Sequence, residues 1–209
     1  MLTPKSGQLA LFFDTETTGL PLRHAPASSP NQPKLVQLAY VLGVVGGPGL
    51  ASCSCVIKPD GWMIPTEASN VHGITNEIAA IRGIPLKVAA SHFGHHVAIA
   101  DILVAHNIGF DVLIMSAAFH QIGWGPSVSR FESMPQFCTQ EASAAIVNLP
   151  PTERMIAAGR NHPKSPQLGE AYEHFTGEKL EGAHDALVDV RACQIIFDKL
   201  LGFPADVVS

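Results

Sequence analysis

The sequence predicts an α/β domain built on a mixed sheet, and three observations predict it. Residues 8–14, QLALFFD, are almost unbroken in apolarity, as a central strand covered on both faces would be. Two further strand-like runs, KLVQLAYVLGVV and ASCSCVIKP, are joined through the turn GGPG and predict a hairpin. Beyond residue 85, helical periodicity alternates with short buried strands.

The elements follow in order. Residues 21–33, rich in Pro and Ser, form a surface loop. Short helical pieces broken by Gly and Pro fill 61–84, with Thr75 as an N-cap. PLKVAASHFGHHVAIA is a helix, DILVAH a buried strand, and NIGFDVLIMSAAFHQIG an inward-packed helix with Asn107 as its cap. A short strand at QFCT and a helix at QEASAAIV are expected within the poorly patterned stretch 126–166. PQLGEAYEHFTG is a helix ending at Gly177. The last helix, roughly 185–201, carries an apolar stripe of Ala186, Val190, Cys193, Phe197 and Leu200.

At 209 residues the chain is expected to form one domain spanning 1–209. The formal charge is −5, unlike a protein that grips duplex nucleic acid by charge alone. No apolar run reaches the ~18 residues of a membrane span, and no signal-peptide pattern opens the chain, so a cytoplasmic protein without a membrane partner is expected. The four cysteines form no CxxC pair, which favours reduced thiols over zinc or disulfides. No GxxxxGK[ST] motif is present, which excludes a P-loop NTPase. A phosphatase of the DxD type would need an Asp at position 16, which is Glu.

Three stretches carry the chemistry. Asp14 and Glu16, two apart on a strand, share a face. Asp111, in AHNIGFD, lies one turn into a helix beside Ile114 and Met115. Asp189, in GAHDALVDV, lies at the edge of a buried stripe, with Asp185 starting the helix and His184 just before it. Four carboxylates near apolar surface repel unless cations sit between them. Hard oxygen ligands in that number suit two Mg²⁺ or Mn²⁺ ions, which would take the net charge from −5 to about −1.

The order FDTETTG, HNxxFD and HxAxxD resembles the DEDDh (DnaQ-like) 3′–5′ exonucleases, a family that includes the epsilon proofreading subunit of bacterial DNA polymerase III. The resemblance spans residues 13–189 and implies a ribonuclease-H-like fold with a five-stranded mixed sheet flanked by helices. It implies metal ligands at Asp14, Glu16, Asp111 and Asp189, with His184 as general base. IPTEASNVHGIT also resembles a family segment, so Glu67 and His72 are expected at the terminal nucleotide, with Glu16, Thr17, Asn107 and Phe110 lining it. Gln37 stands where many relatives carry an acid.

The implied activity is hydrolysis from the 3′ end of single-stranded or frayed DNA, releasing nucleoside 5′-monophosphates; trimming of RNA 3′ ends is the alternative. A polymerase or other replication or repair protein is an expected partner. Arg154, Arg160 and Lys164 form the nearest basic run, either meeting phosphates or simply solvated. A binding module on an inactive nuclease fold is the rival from another class, but such a module would normally lack one of the five motif residues.

Overall fold

The computed structural model describes residues 4–203, without the side chains of residues 126 and 127. The expected domain limits, 1 and 209, therefore lie outside the described residues. Five strands form one mixed sheet: β1 (Leu9–Thr17), β2 (Leu35–Val44), β3 (Gly49–Val56), β4 (Ile102–Ala105) and β5 (Gln136–Cys138), in the order β3-β2-β1-β4-β5. β1 pairs antiparallel with β2 and parallel with β4, and β2 pairs antiparallel with β3 as the expected hairpin. β5 continues the parallel half beside β4.

Strand β1 is central and covered on both sides, and the alternation of its side chains splits the core in two. Leu11 and Phe13 face the layer made by α3 (Leu86–Ile99), α4 (Ile108–Gln121) and α5 (Gly125–Ser133). Ala10 and Phe12 face α9 (Ala186–Leu200). Phe197 anchors α9, meeting Phe12 edge-on at 5.1 Å and Phe137 at 5.0 Å between ring centroids. On the other side Phe93 meets Phe13 at 5.4 Å and Phe131 at 5.9 Å. Both layers are thus pinned to the strand that carries the acids.

The remaining helices are short: α1 (Thr66–His72), α2 (Asn76–Arg82), α6 (Thr139–Val147), α7 (Glu153–Ala157) and α8 (Leu168–Thr176). Thr75 caps α2 as expected, its side chain accepting from the Ile78 amide. Gly177 ends α8 at φ 78°, a left-handed turn natural to glycine. Two expectations are corrected. β1 runs to Thr17 rather than stopping at residue 14, so both acids lie within the strand. Asn107 precedes α4, but its side chain makes no capping bond and its backbone is left-handed at φ 71°. There the residue turns the chain out of β4, a conformation asparagine tolerates better than most residues. The loop 21–33 winds around Gln32, which is buried and bonds the carbonyls of Leu22 at 3.0 Å and Ala25 at 3.1 Å.

Among the described residues no helix is long and apolar enough to cross a membrane. All four cysteines are free.

Asp198, in the last turn of α9, is buried, and loss of water pushes its carboxyl up to about 6. A raised folded-state value means the folded protein holds the proton more tightly than the unfolded chain. Stability from this group is therefore intact at low pH and declines as pH rises from about 4 to about 6. Asp198→Asn should stabilise the protein by about 1–3 kcal/mol at pH 7 and hardly at all at pH 4. Urea melts at the two pH values check this; equal effects at both would show that ionisation is not the cause.

Candidate active site

Strand parity builds the site. Asp14 and Glu16 fall on the β1 face that meets α9, while Thr15 between them falls on the α4 face. Thr15 grips α4 there: its amide donates to Asp111 Oδ1 at 3.0 Å and its hydroxyl to the same oxygen at 2.7 Å. Asp185 caps α9, accepting from the Leu187 and Val188 amides, and thereby sets the start of the helix that presents Asp189. Asp189 Oδ2 accepts from the His184 amide at 3.1 Å. Oδ1 of Asp189 is buried and has no hydrogen-bond partner.

Four acids therefore gather at the carboxyl end of β1. One ligand atom each of Glu16, His184 and Asp189 lies within 4.8 Å of the others. Asp14 and Asp111 stand outside that tight triad but within its field. Burial, then Asp111, Asp189 and Glu16 in turn, hold the Asp14 carboxyl well above the carboxylate range. Burial pushes Glu16 up to about 8, with Asp189 the next cause. Burial pushes Asp111 to about 7 against the opposing pull of the Thr15 donors. Asp189 is raised by burial and partly relieved by the His184 amide.

None of these acids has a lysine or arginine partner; the only ion pair among the described residues is Lys164–Glu170, at 2.6 Å. Glu16 and Asp189, ionised together within 4.8 Å, would repel by about 3–4 kcal/mol at an effective dielectric near 20. The orphaned Asp189 Oδ1, the missing counter-charge and the all-oxygen carboxylate set fit a hard divalent cation. Gln37 lies opposite Glu16 in the β1–β2 register and is occupied by Ser54 Oγ at 3.1 Å.

The other expected contacts divide. His72 is buried, and Nδ1 accepts from the Ile74 amide at 3.1 Å, which leaves the ring proton on Nε2 without a partner. Burial lowers its pKa, the nearby Thr17 backbone opposes that, and the charge of His184 lowers it further, so the ring borders the site. Thr17 turns its hydroxyl to the Gly19 carbonyl at 2.7 Å and secures the turn after β1. Glu67 is exposed on α1, Phe110 is half-buried at the start of α4, and Asn107 is the left-handed residue before it. Of the basic run, Lys164 is engaged by Glu170, while Arg154 and Arg160 are exposed.

Sequence reasoning missed two residues. Thr15 was passed over as the spacer between two acids, although the same alternation that joins them sends it to Asp111. His106 holds the end of β4: Nε2 donates to the Pro166 carbonyl at 3.0 Å and Nδ1 accepts from the Thr139 hydroxyl at 3.0 Å. Burial pulls its pKa down to about 4, so it stays a neutral strut between β4, α6 and the 160s loop.

The sheet order and the acidic cluster, a candidate cation site, define the class: an exonuclease-type α/β fold. The RNase_T exonuclease family matches residues 11–197, and the chain belongs to it. Membership of the DEDDh exonucleases, expected from the three motifs, is thereby borne out.

Among solved structures, the chain is similar to Escherichia coli exonuclease I in complex with a dA16 oligonucleotide. The TM-score is 0.70 at 19% identity, over 92% of this chain and 41% of that one. The zinc-bound form of the E. coli exonuclease I–ssDNA complex gives 0.70 at 18%, over 93% and 42%. A moderately thermophilic exonuclease I from Methylocaldum szegediense gives 0.67 at 18%, over 92% and 40%. At such identity the likeness is one of fold, and the chain spans about two fifths of the length of these structures. No curated protein sequence matches the chain.

Thr15→Val should weaken Mn²⁺ binding about tenfold, because Asp111 loses the hydroxyl that orients it. Calorimetric titration reads this directly. Affinity equal to wild type would show that the Thr15 amide alone suffices.

Proposed function

We propose that the protein is a 3′–5′ exonuclease that hydrolyses the terminal phosphodiester of single-stranded or frayed DNA and releases nucleoside 5′-monophosphates. One observation carries this reading within the family: half-buried Asp14 and Glu16 at the end of β1 meet buried Asp111 and Asp189 with no lysine or arginine among them. The E. coli exonuclease I structures, described as complexes with dA16 and with ssDNA, support single-stranded DNA as the substrate.

Asp14, Glu16, Asp111 and Asp189 would hold two Mg²⁺ or Mn²⁺ ions. Such ions supply Lewis acidity to an attacking water and to the leaving 3′-oxygen. His184 takes the proton of that water; its ring is exposed and its nitrogen lies within 4.8 Å of Glu16 and Asp189 oxygens. The His184 amide bond to Asp189 fixes where that ring starts. His72, with an unpartnered Nε2–H, offers a donor to the terminal nucleotide. Phe110 would offer a ring face to its base, and Glu16, Thr17, Glu67 and Asn107 would contact the same nucleotide. RNA trimming is the second reading, because none of these groups by its type selects against a 2′-hydroxyl.

A time course with 5′-labelled DNA and RNA oligomers in Mn²⁺ tests the proposal. A ladder shortening one nucleotide at a time from the 3′ end is expected with DNA. Full-length oligomers in every lane would instead favour a binding module. His184→Ala should lose about 10²–10⁴-fold in turnover while keeping Mn²⁺ affinity, and Asp14→Ala should lose both. Unchanged Mn²⁺ affinity in Asp14→Ala would remove Asp14 from the ligand set.

A further inference from the structure

The acidic end of the sheet also carries a hollow of opposite sign. Lys34, Lys58 and Lys87 surround one cavity of about 490 Å³, with Trp62 and Asp60 among its other walls. The whole chain has only 13 lysines and arginines against 18 acids, so three cations around one hollow reverse the local sign. They are not spent on carboxylates, since the only ion pair among the described residues lies elsewhere. Lys34 Nζ bonds only a neutral carbonyl, that of Pro30, at 3.2 Å. Asp60 is outnumbered three to one.

The cavity is tied to the catalytic strand. Lys34 and Thr18 exchange bonds: the Lys34 amide donates to the Thr18 hydroxyl at 2.8 Å, and the Thr18 amide to the Lys34 carbonyl at 3.0 Å. Thr18 follows directly on β1, two residues beyond Glu16. α4 gives the distance, because Asp111 lies near its start and Gln121, its last residue, lines the cavity. Ten residues of helix cover about 15 Å, a span that a few extended nucleotides cross. The rest of the lining is largely apolar, with Leu35, Ile57, Leu86 and Ile122 beside the half-buried Trp62.

We infer that this cavity holds the substrate strand upstream of its reacting end, with Lys34, Lys58 and Lys87 on phosphodiester oxygens and a base stacked on Trp62. The inference rests on the exonuclease reading of the site and extends it to the substrate's path. Cations along a backbone combined with an aromatic face are the chemistry of single-strand recognition. Stacking on Trp62 needs an unpaired base, so the occupant is a single strand. Ammonium–phosphate and ring–base contacts do not discriminate sugars, so DNA and RNA strands are held alike at this point.

The test is fluorescence anisotropy with 5′-dye-labelled single strands of about two to about twelve nucleotides, their linkages phosphorothioate at the 3′ end to block hydrolysis. Affinity should climb with length and level off once the strand reaches the cavity. The K58Q/K87Q variant should bind the longest strands about tenfold more weakly, and its slope of log affinity on log salt should shrink by about 1.4. The K5Q/K199Q variant makes the same charge change at the opposite end of the sheet and should leave both unchanged. Trp62→Phe should abolish the strand-induced quench of intrinsic fluorescence that Trp124→Phe retains.

Equal losses in both lysine pairs would reduce the effect to bulk charge and overturn the inference. So would wild-type affinity independent of length, or a K58Q/K87Q protein that binds long strands as well as wild type. Failure of the exonuclease reading shows separately, as intact oligomers in the time course, whereas this binding readout needs no turnover.

Discussion

Everything at the functional end of the molecule answers to one electrostatic constraint: four carboxylates, buried or half-buried, with no lysine or arginine to balance them. Isolated, such a cluster opposes folding, since each acid must give up either its hydration or its charge. Their raised pKa values express that conflict. A divalent cation resolves it by meeting several oxygens at once, which no single lysine can do. The acids therefore make sense only together, and the fold's task is to keep them together.

That task falls to β1 and the two helical layers against it. The strand's two-residue repeat divides its side chains between layers, so one short stretch reaches Asp189 on one side and Asp111 on the other. Each layer is anchored by large rings, Phe197 for α9 and Phe93 with Phe131 for the α3–α5 side. Burying one such ring contributes roughly 1.5–3 kcal/mol, enough to offset a good part of one acid's desolvation. Thr15 and Asp185 then adjust the helices finely, one by gripping α4 and the other by capping α9.

Much of this was legible in the residues. The spacing of Asp14 and Glu16 placed both on one face; Thr75 and Asp185 marked helix starts by side chains that reach amides within three residues, and Gly177 marked a helix end by its left-handed backbone. Local rules sufficed because the causes were local. Helix α5 was not legible: Gly125, Pro126 and three serines are weak helix formers in a poorly patterned stretch, and the burial of Val128 and Phe131 in the core overrides that preference. The grip of Thr15 on Asp111 joins residues 96 positions apart, and Lys34, Lys58 and Lys87 stand more than twenty positions from one another. Pattern along the chain carries no trace of such meetings. Asn107 erred differently, because a residue type suited to capping is equally suited to a left-handed turn.

The bond from the His184 amide to Asp189 has a consequence for how the molecule fails. His184 sits in a left-handed backbone at φ 72° in an exposed stretch, and that bond is what ties its backbone to α9. One carboxylate therefore does two jobs, holding charge with one oxygen and posture with the other. Damage at Asp189 would disarm the proposed proton acceptor as well, so injuries to the two residues should overlap instead of accumulating.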